Sequence, residues 1–162
     1  MYERTKLDQH QYTERVRNGP CFICQVVAGT QAEPEAVIYR DDFAIAFLAR
    51  YSSLLGRALV APLEHREGIV ADFDEASYLR LQSLVYRVGS AVSKVLPTER
   101  LYVLSLGSNQ GNAHAHWHVA PLPPGVPYDR QQHRALMAEE AGYLVMPPGE
   151  PERLARRIGA AL

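Results

Sequence analysis

Three of the six histidines in this 162-residue chain lie within five residues, at His114, His116 and His118. They alternate with Ala115 and Trp117, so in an extended strand all three imidazoles would point to one face. Same-face positions on a straight strand are roughly 6.5–7 Å apart, whereas a zinc–nitrogen bond measures about 2.0–2.1 Å. The spacing therefore disfavours joint chelation of one metal. It favours a divided role, with one histidine as metal ligand, one as reactive group and one as substrate support.

The histidines lie in a segment, Leu101 to Tyr128, that contains no Asp, Glu, Lys or Arg. If a catalytic site lies here, histidine must supply its nucleophile or base. A single histidine in a strand is usually a hydrogen-bonded polar residue without a catalytic role. Three in alternation are hard to explain as packing, because each buried imidazole needs hydrogen-bond partners. We therefore favour a functional interpretation of the cluster.

The only two cysteines, Cys21 and Cys24, form a CxxC pair. Such a pair holds a metal, forms a redox disulfide, or contributes two small buried thiols. The redox motif belongs to a parallel βαβ context, which this sequence lacks. His65 and His114 are candidates to complete a Cys₂His₂ set, the ligand chemistry of structural zinc.

Composition indicates one ordinary globular domain. Apolar residues make up 47% of the chain and charged residues 22%. The 17 basic and 18 acidic residues leave a net charge of −1, which disfavours bulk binding to nucleic acid. The sequence has no apolar run long enough for a membrane helix and no apolar core of a signal peptide near its N-terminus. We expect a cytoplasmic protein.

The pattern of elements predicts an α+β fold with an antiparallel sheet of about five strands. Strand-like runs occur in hairpin-like pairs around one long amphipathic helix, and strict βαβ alternation is missing. Either Asp72 or Asp74 is expected to cap that helix. The predicted strands cover 36–39, 43–48, 59–61, 101–106 and 114–122, and the long helix covers 75–96. Residues 1–19 are expected to form a polar N-terminal arm with a short helix around 12–17. Residues 125–162 are expected to form a C-terminal extension with helices over 130–140 and 150–162 and an extended piece over 143–146.

The run His114-Ala-His-Trp-His-Val-Ala120 resembles the signature of the histidine triad superfamily, in which three histidines alternate with apolar residues. Upstream, residues 38–47 look like the first hairpin of that family, and 59–65 look like its following strand and Pro-x-x-His turn. The resemblance spans residues 20–124. It implies an antiparallel sheet with helices, commonly a homodimer, that acts on nucleoside phosphates as a hydrolase or nucleotidyl transferase.

The resemblance also implies roles for single residues. His116 would be the nucleophile that attacks the α-phosphorus and forms a nucleotidyl-histidine intermediate, and His118 would donate to phosphate oxygens. Gln110 would lie near the phosphate, with Asn109, Gly111 and Asn112 as further substrate-binding candidates in the same loop. Zinc-containing branches of the superfamily hold a structural zinc with the equivalents of Cys21, Cys24, His65 and His114.

Two positions depart from the family pattern. Ala49 stands where the family usually carries a ribose-binding aspartate, and the next residue, Arg50, offers only donors. Arg50 is interpreted either as a contact for an extra phosphate or as an exposed residue. Gly111 stands where a serine is often found. These departures keep open a non-catalytic nucleotide-binding or regulatory module. A third hypothesis, a hydrolytic enzyme with an open-site zinc, is disfavoured by the alternating spacing.

Overall fold

A five-stranded antiparallel sheet forms the centre of the computed structural model, which describes residues 2–162. Its strands are β2 Val37–Arg40, β3 Ala44–Leu48, β4 Ala58–Pro62, β5 Arg100–Leu104 and β6 Trp117–Leu122. Their order across the sheet is β2-β3-β4-β6-β5, and every neighbouring pair is antiparallel. A second, two-stranded sheet pairs β1 Glu3–Thr5 with β7 Tyr143–Val145. The predicted α+β class and the antiparallel sheet are confirmed.

The long helix predicted from the apolar periodicity is also present, as α3 Glu75–Val95. Asp74 is its N-cap and accepts a hydrogen bond from the backbone N–H of Ser77. Asp72 instead accepts from the N–H groups of Glu67 and Gly68. The other helices are α1 Gln9–Asn18, α2 Phe22–Ala28, α4 His133–Leu136, α5 Ala138–Ala141 and α6 Glu150–Gly159. Within residues 2–162, no helix combines the length and the apolar character needed to cross a bilayer.

The two faces of the sheet are covered by different elements. Ala115, Trp117 and Val119 share a buried cluster with α3 and α6, and Trp117 packs edge-on against Phe73 and Tyr78. On the opposite face, α2 packs against the sheet. This cluster consists of Ile23 and Val26 of α2, Ile45 and Phe47 of β3, and Leu59 and Ala61 of β4. The alternation predicted around the histidines is thus present, and it leaves the imidazoles on the α2 side.

The strand predicted over 114–122 is shorter than expected, because it begins at Trp117. Before that residue the backbone leaves the ladder, and the N–H of Ala115 donates instead to the carbonyl of Arg66, at 2.6 Å. His114 and His116 therefore lie on an irregular segment leading into β6. Only His118 belongs to the regular ladder, opposite Leu59 of β4.

The two ends of the chain differ most from the sequence prediction. Within the predicted polar arm, α1 contains the short helix expected over 12–17. Strand β1 was not expected, and by pairing with β7 it joins the N-terminal residues to the C-terminal extension. The helix predicted over 130–140 is replaced by a 3₁₀ turn, Tyr128–Arg130, and the two short helices α4 and α5. Two breaks explain this: Gln132 has a left-handed φ of 57°, and Met137 is extended. Helix α2 was not predicted at all.

Candidate zinc and histidine site

The CxxC pair and two histidines converge on one point of the fold. One ligand atom from each of Cys21, Cys24, His65 and His114 lies within 4.8 Å of all the others. Cys21 is the N-cap of α2 and Cys24 lies in its first turn, so this short helix presents both sulfurs. His65 comes from the turn after β4, and His114 from the segment before β6. The helix α2, the turn after β4 and the segment before β6 thus meet at these side chains.

The separations between these ligand atoms fit zinc. A tetrahedral ion with bonds of about 2.0–2.3 Å places its ligand atoms about 3.3–3.8 Å apart. Nδ1 of His114 lies 3.5 Å from Sγ of Cys21 and 3.6 Å from Sγ of Cys24. Nδ1 of His65 lies 3.3 Å from Sγ of Cys24. The set is a Cys₂His₂ site for a structural zinc ion, and its four protein ligands leave no position for a catalytic water.

In both histidines of this site, a neighbouring acceptor faces Nε2, so that Nδ1 is available to bind the metal. Nε2 of His114 lies 3.0 Å from the carbonyl of Pro62, and Nε2 of His65 lies 3.0 Å from a carboxylate oxygen of Glu67. A carbonyl only accepts, so His114 carries its proton on Nε2 and keeps the Nδ1 lone pair free. Burial lowers the pKa of His114 to about 4, which favours the neutral ligand form. Burial and the adjacent sulfur of Cys21 raise the pKa of the Cys24 thiol. A bound cation is therefore needed to keep both cysteines deprotonated.

The zinc ligand His114 also fixes the next histidine of the triad. Its backbone carbonyl lies 2.6 Å from Nδ1 of His116, so His116 donates from Nδ1 and keeps Nε2 unprotonated. Phe22, between the two cysteines on α2, packs edge-on against the His116 ring at a centroid distance of 6.3 Å. Burial, opposed in part by the hydrogen bond to His114, lowers the pKa of His116. The result is a buried, neutral imidazole with one free lone pair.

His118 lies edge-on to His116, with ring centroids 4.9 Å apart. Its Nδ1 faces the guanidinium of Arg57, at 3.3 Å from Nε and 3.1 Å from Nη2. Burial and then the Arg57 charge lower the pKa of His118 to about 2, so this ring is neutral too. Sequence reasoning missed Arg57. The available signal was its position two residues before Leu59, which places it on the same face of β4.

The substrate-binding candidates lie in the loop between β5 and β6, and helix α1 packs against that loop. The side-chain amide of Asn112 donates to the hydroxyl of Tyr12, at 3.1 Å. A Cβ on Gly111 would approach Cγ1 of Val16 to 2.5 Å, so the absence of a side chain there lets α1 dock. Asn109 and Gln110 are exposed, and their roles remain predictions. The docking of α1 against this loop was not predicted.

The position after β3 holds a charge cluster. Arg50 forms ion pairs with Glu33 and, at 3.2 Å, with Glu35. Ala49 packs against the apolar cluster on the α2 side of the sheet. Two carboxylates thus already compensate the charge of Arg50, which disfavours the phosphate contact considered from the sequence.

An antiparallel sheet, three alternating histidines at the start of β6 and a Cys₂His₂ cluster beside them form the arrangement expected from the resemblance to zinc-containing histidine triad proteins. No protein-family model matches the chain. It is 28% identical over 104 residues to an uncharacterised HIT-like protein of Saccharolobus solfataricus, an alignment that covers 62% of this chain and 73% of that relative.

Solved structures show the same fold. The crystal structure of a hypothetical histidine triad nucleotide-binding protein from Sulfolobus tokodaii has a TM-score of 0.68 and 22% identity, covering 87% of this chain and 91% of that one. A zinc-bound histidine triad family protein from Mycobacterium smegmatis has a TM-score of 0.64 and 21% identity, with the same coverage of 87% and 91%. The chain thus has the fold of these histidine triad proteins, and its sequence is similar to that of the HIT-like relative.

Proposed function

We propose that this protein is a nucleotide hydrolase or nucleotidyl transferase. It would cleave a phosphoanhydride or phosphoramidate bond at the α-phosphorus through a covalent nucleotidyl-histidine on His116. The observation that carries the proposal is the 2.6 Å contact between Nδ1 of His116 and the carbonyl of His114. It leaves Nε2 of a buried, neutral imidazole as a lone-pair nucleophile, which is the state that covalent phosphoryl chemistry requires.

The reaction proceeds in two displacements. The Nε2 lone pair of His116 forms a bond to the α-phosphorus, and the bond from phosphorus to the leaving oxygen or nitrogen breaks with its electron pair. The leaving group takes up a proton from water or a neighbouring donor. Water or the hydroxyl of another acceptor then attacks the same phosphorus and releases its proton to solvent, while the phosphorus–nitrogen bond breaks and its electron pair returns to Nε2 of His116. His118 holds the phosphate oxygens with an N–H donor during both displacements.

The zinc ion has no step in this scheme. When bound, it supplies a fixed cross-link between α2, the turn after β4 and the segment before β6. The chain's own groups do the rest: His114 orients His116 through its carbonyl, and Phe22 covers the imidazole ring. The closed ligand set argues against the third hypothesis, an open-site zinc hydrolase.

Three wider expectations belong to this proposal. The substrate is a nucleotide or nucleoside phosphate, whose charge imidazole and amide donors can hold without a basic surface. The chain forms a homodimer, since β5 pairs with β6 on one side only and Val103 on this edge is half exposed. The location is cytoplasmic, where a reducing environment keeps the two free cysteines available as zinc ligands. Sedimentation velocity measures the oligomeric state.

A substrate panel tests the activity. Wild-type protein is assayed on adenosine phosphoramidate, dinucleoside polyphosphates and nucleotide sugars, beside His116→Ala and the control His133→Ala. His133 lies on α4, is exposed and is expected to be dispensable. The proposal predicts turnover by wild type and His133→Ala and its loss in His116→Ala. Undiminished turnover in His116→Ala would refute the mechanism.

A second candidate function is a non-catalytic nucleotide-binding or regulatory module. Ala49 favours it, because alanine offers no acceptor for ribose hydroxyls and the neighbouring Arg50 is engaged by two carboxylates. Nucleotide binding measured by calorimetry, with no turnover of any compound in the panel, would support the module and contradict the enzyme.

A further inference from the structure

Arg57 is the only lysine or arginine among residues 2–162 that is buried, with 9% of its surface exposed. It directly precedes β4 and reaches His118 on the neighbouring strand. Within the part of the chain that the structure describes, no carboxylate lies within ion-pair distance of its guanidinium. A buried cation without an ion pair is costly, and an apolar side chain of similar length would fill the same space more favourably. The reason for an arginine here must therefore lie in the groups to which its guanidinium donates.

The guanidinium is held from two sides. Nη1 donates to the carbonyl of Leu136, at 3.0 Å, and Nε and Nη2 both face Nδ1 of His118. Leu136 lies at the end of α4, so the C-terminal extension fixes the orientation of Arg57. The hydroxyl of Ser53 strengthens this attachment by donating to the carbonyl of Ala135. Arg57 therefore connects the extension to the third histidine of the triad.

This contact decides where His118 carries its proton. A guanidinium has five N–H donors and no acceptor, so the imidazole nitrogen that faces it must be the acceptor. In a neutral imidazole the other nitrogen then bears the hydrogen. His118 is thus held with its proton on Nε2, the opposite tautomer from His116, which carries its proton on Nδ1. One ring presents an N–H, and the adjacent ring presents a lone pair.

We infer that Arg57 is a positioning residue of the triad, which locks His118 in the Nε2–H tautomer so that it presents an N–H to the substrate phosphate. The role of His118 as phosphate donor rests on the proposed function. The tautomer itself is a property of the substrate-free protein. The two can therefore be tested separately.

Nitrogen-15 NMR of the histidine side chains, on zinc-loaded protein without substrate, tests the tautomer. Wild-type His118 is expected to show a protonated Nε2 and an unprotonated Nδ1. In Arg57→Met this preference is lost, and in Arg57→Lys, which restores a donor, it is recovered. The control is Arg87→Met, on α3 on the opposite face of the sheet. A protonated Nδ1 in wild-type His118 overturns the inference even if no variant folds, and so does an unchanged tautomer in Arg57→Met.

Kinetics on a compound that wild type turns over provide the second readout. Loss of a positioned proton donor costs about 10²-fold or more in rate, so Arg57→Met is expected to lower kcat by about 10²-fold with a smaller change in KM. Arg57→Lys is expected to recover most of that loss at equal zinc content. A loss of kcat that follows zinc content or unfolding, rather than the tautomer, contradicts the inference. If wild type turns over no nucleotide while the NMR results hold, the proposed function fails and the assignment of Arg57 stands.

Discussion

Replacing Cys24 with alanine removes one of four zinc ligands while retaining the apolar contacts that Ile23 and Val26 make from the same helix. Without the metal, Nδ1 of His114 keeps only the Cys21 sulfur, a weak donor at 3.5 Å, in a side chain that is only 1% exposed. An unsatisfied buried polar group costs about 1–3 kcal/mol. Cys21 and His65 lose the metal as well, so we expect the free energy of unfolding to fall by about 3 kcal/mol or more.

That loss is large enough to measure by thermal unfolding. For a chain of this length, 1 kcal/mol shifts the midpoint by about 2–4 °C, so Cys24→Ala is expected to lower Tm by about 6–12 °C. Elemental analysis should find about one zinc per wild-type chain and almost none in the variant. Nucleotide turnover should fall too, because the carbonyl that holds His116 belongs to the zinc ligand His114.

The matched control is Gln25→Ala, one residue further along α2. Gln25 offers no thiolate, and alanine is a good helix former, so zinc content and Tm should stay close to wild type. Unchanged Tm after chelator treatment of wild type, or full zinc content in Cys24→Ala, would refute the reasoning. Equal losses in Gln25→Ala would show that the helix, and not the metal, carries the stability.

Three further perturbations follow from the structure. Trp117→Ala removes a 5% exposed ring packed against Phe73 and Tyr78 and should cost about 3–5 kcal/mol in urea unfolding. Asp74→Ala removes the cap of α3 and should cost about 0.5–2 kcal/mol by the same assay. The folded-state pKa of His118 is lowered to about 2, so the unfolded chain binds more protons below its own pKa of about 6.5. Stability should therefore fall as pH drops below that value, by up to about 1.4 kcal/mol per pH unit from this group, and His118→Asn should show a shallower decline.

The sequence predicted most of what is local or periodic. The apolar spacing from Leu81 to Val95 gave α3 almost to its ends, and the alternation around Trp117 placed its ring in the core away from the histidines. The four zinc ligands were predictable because their residue types have few other uses in that combination. The resemblance to a known family then supplied their grouping in space.

The remaining features depend on contacts between distant segments. Helix α2 has only seven residues and is stabilised by the packing of Ile23 and Val26, so its own sequence gives a weak signal. The early start predicted for β6 was wrong because Ala115 bonds to Arg66, a partner 49 positions away. For Arg57 the sequence offered only its register relative to Leu59, since its partners are a histidine on another strand and a carbonyl of the C-terminal extension. The apolar spacing along the sequence does not predict such contacts between distant segments.

In the proposed mechanism, His116 attacks phosphorus and becomes covalently nucleotidylated during turnover. The direct measurement is mass spectrometry of the protein quenched during turnover of the best compound in the panel, with peptide mapping of the adduct. One nucleotidyl group is expected on the peptide that carries His116, located on that residue by fragmentation and absent from His116→Ala. An adduct on another residue, or full turnover by His116→Ala, would contradict it.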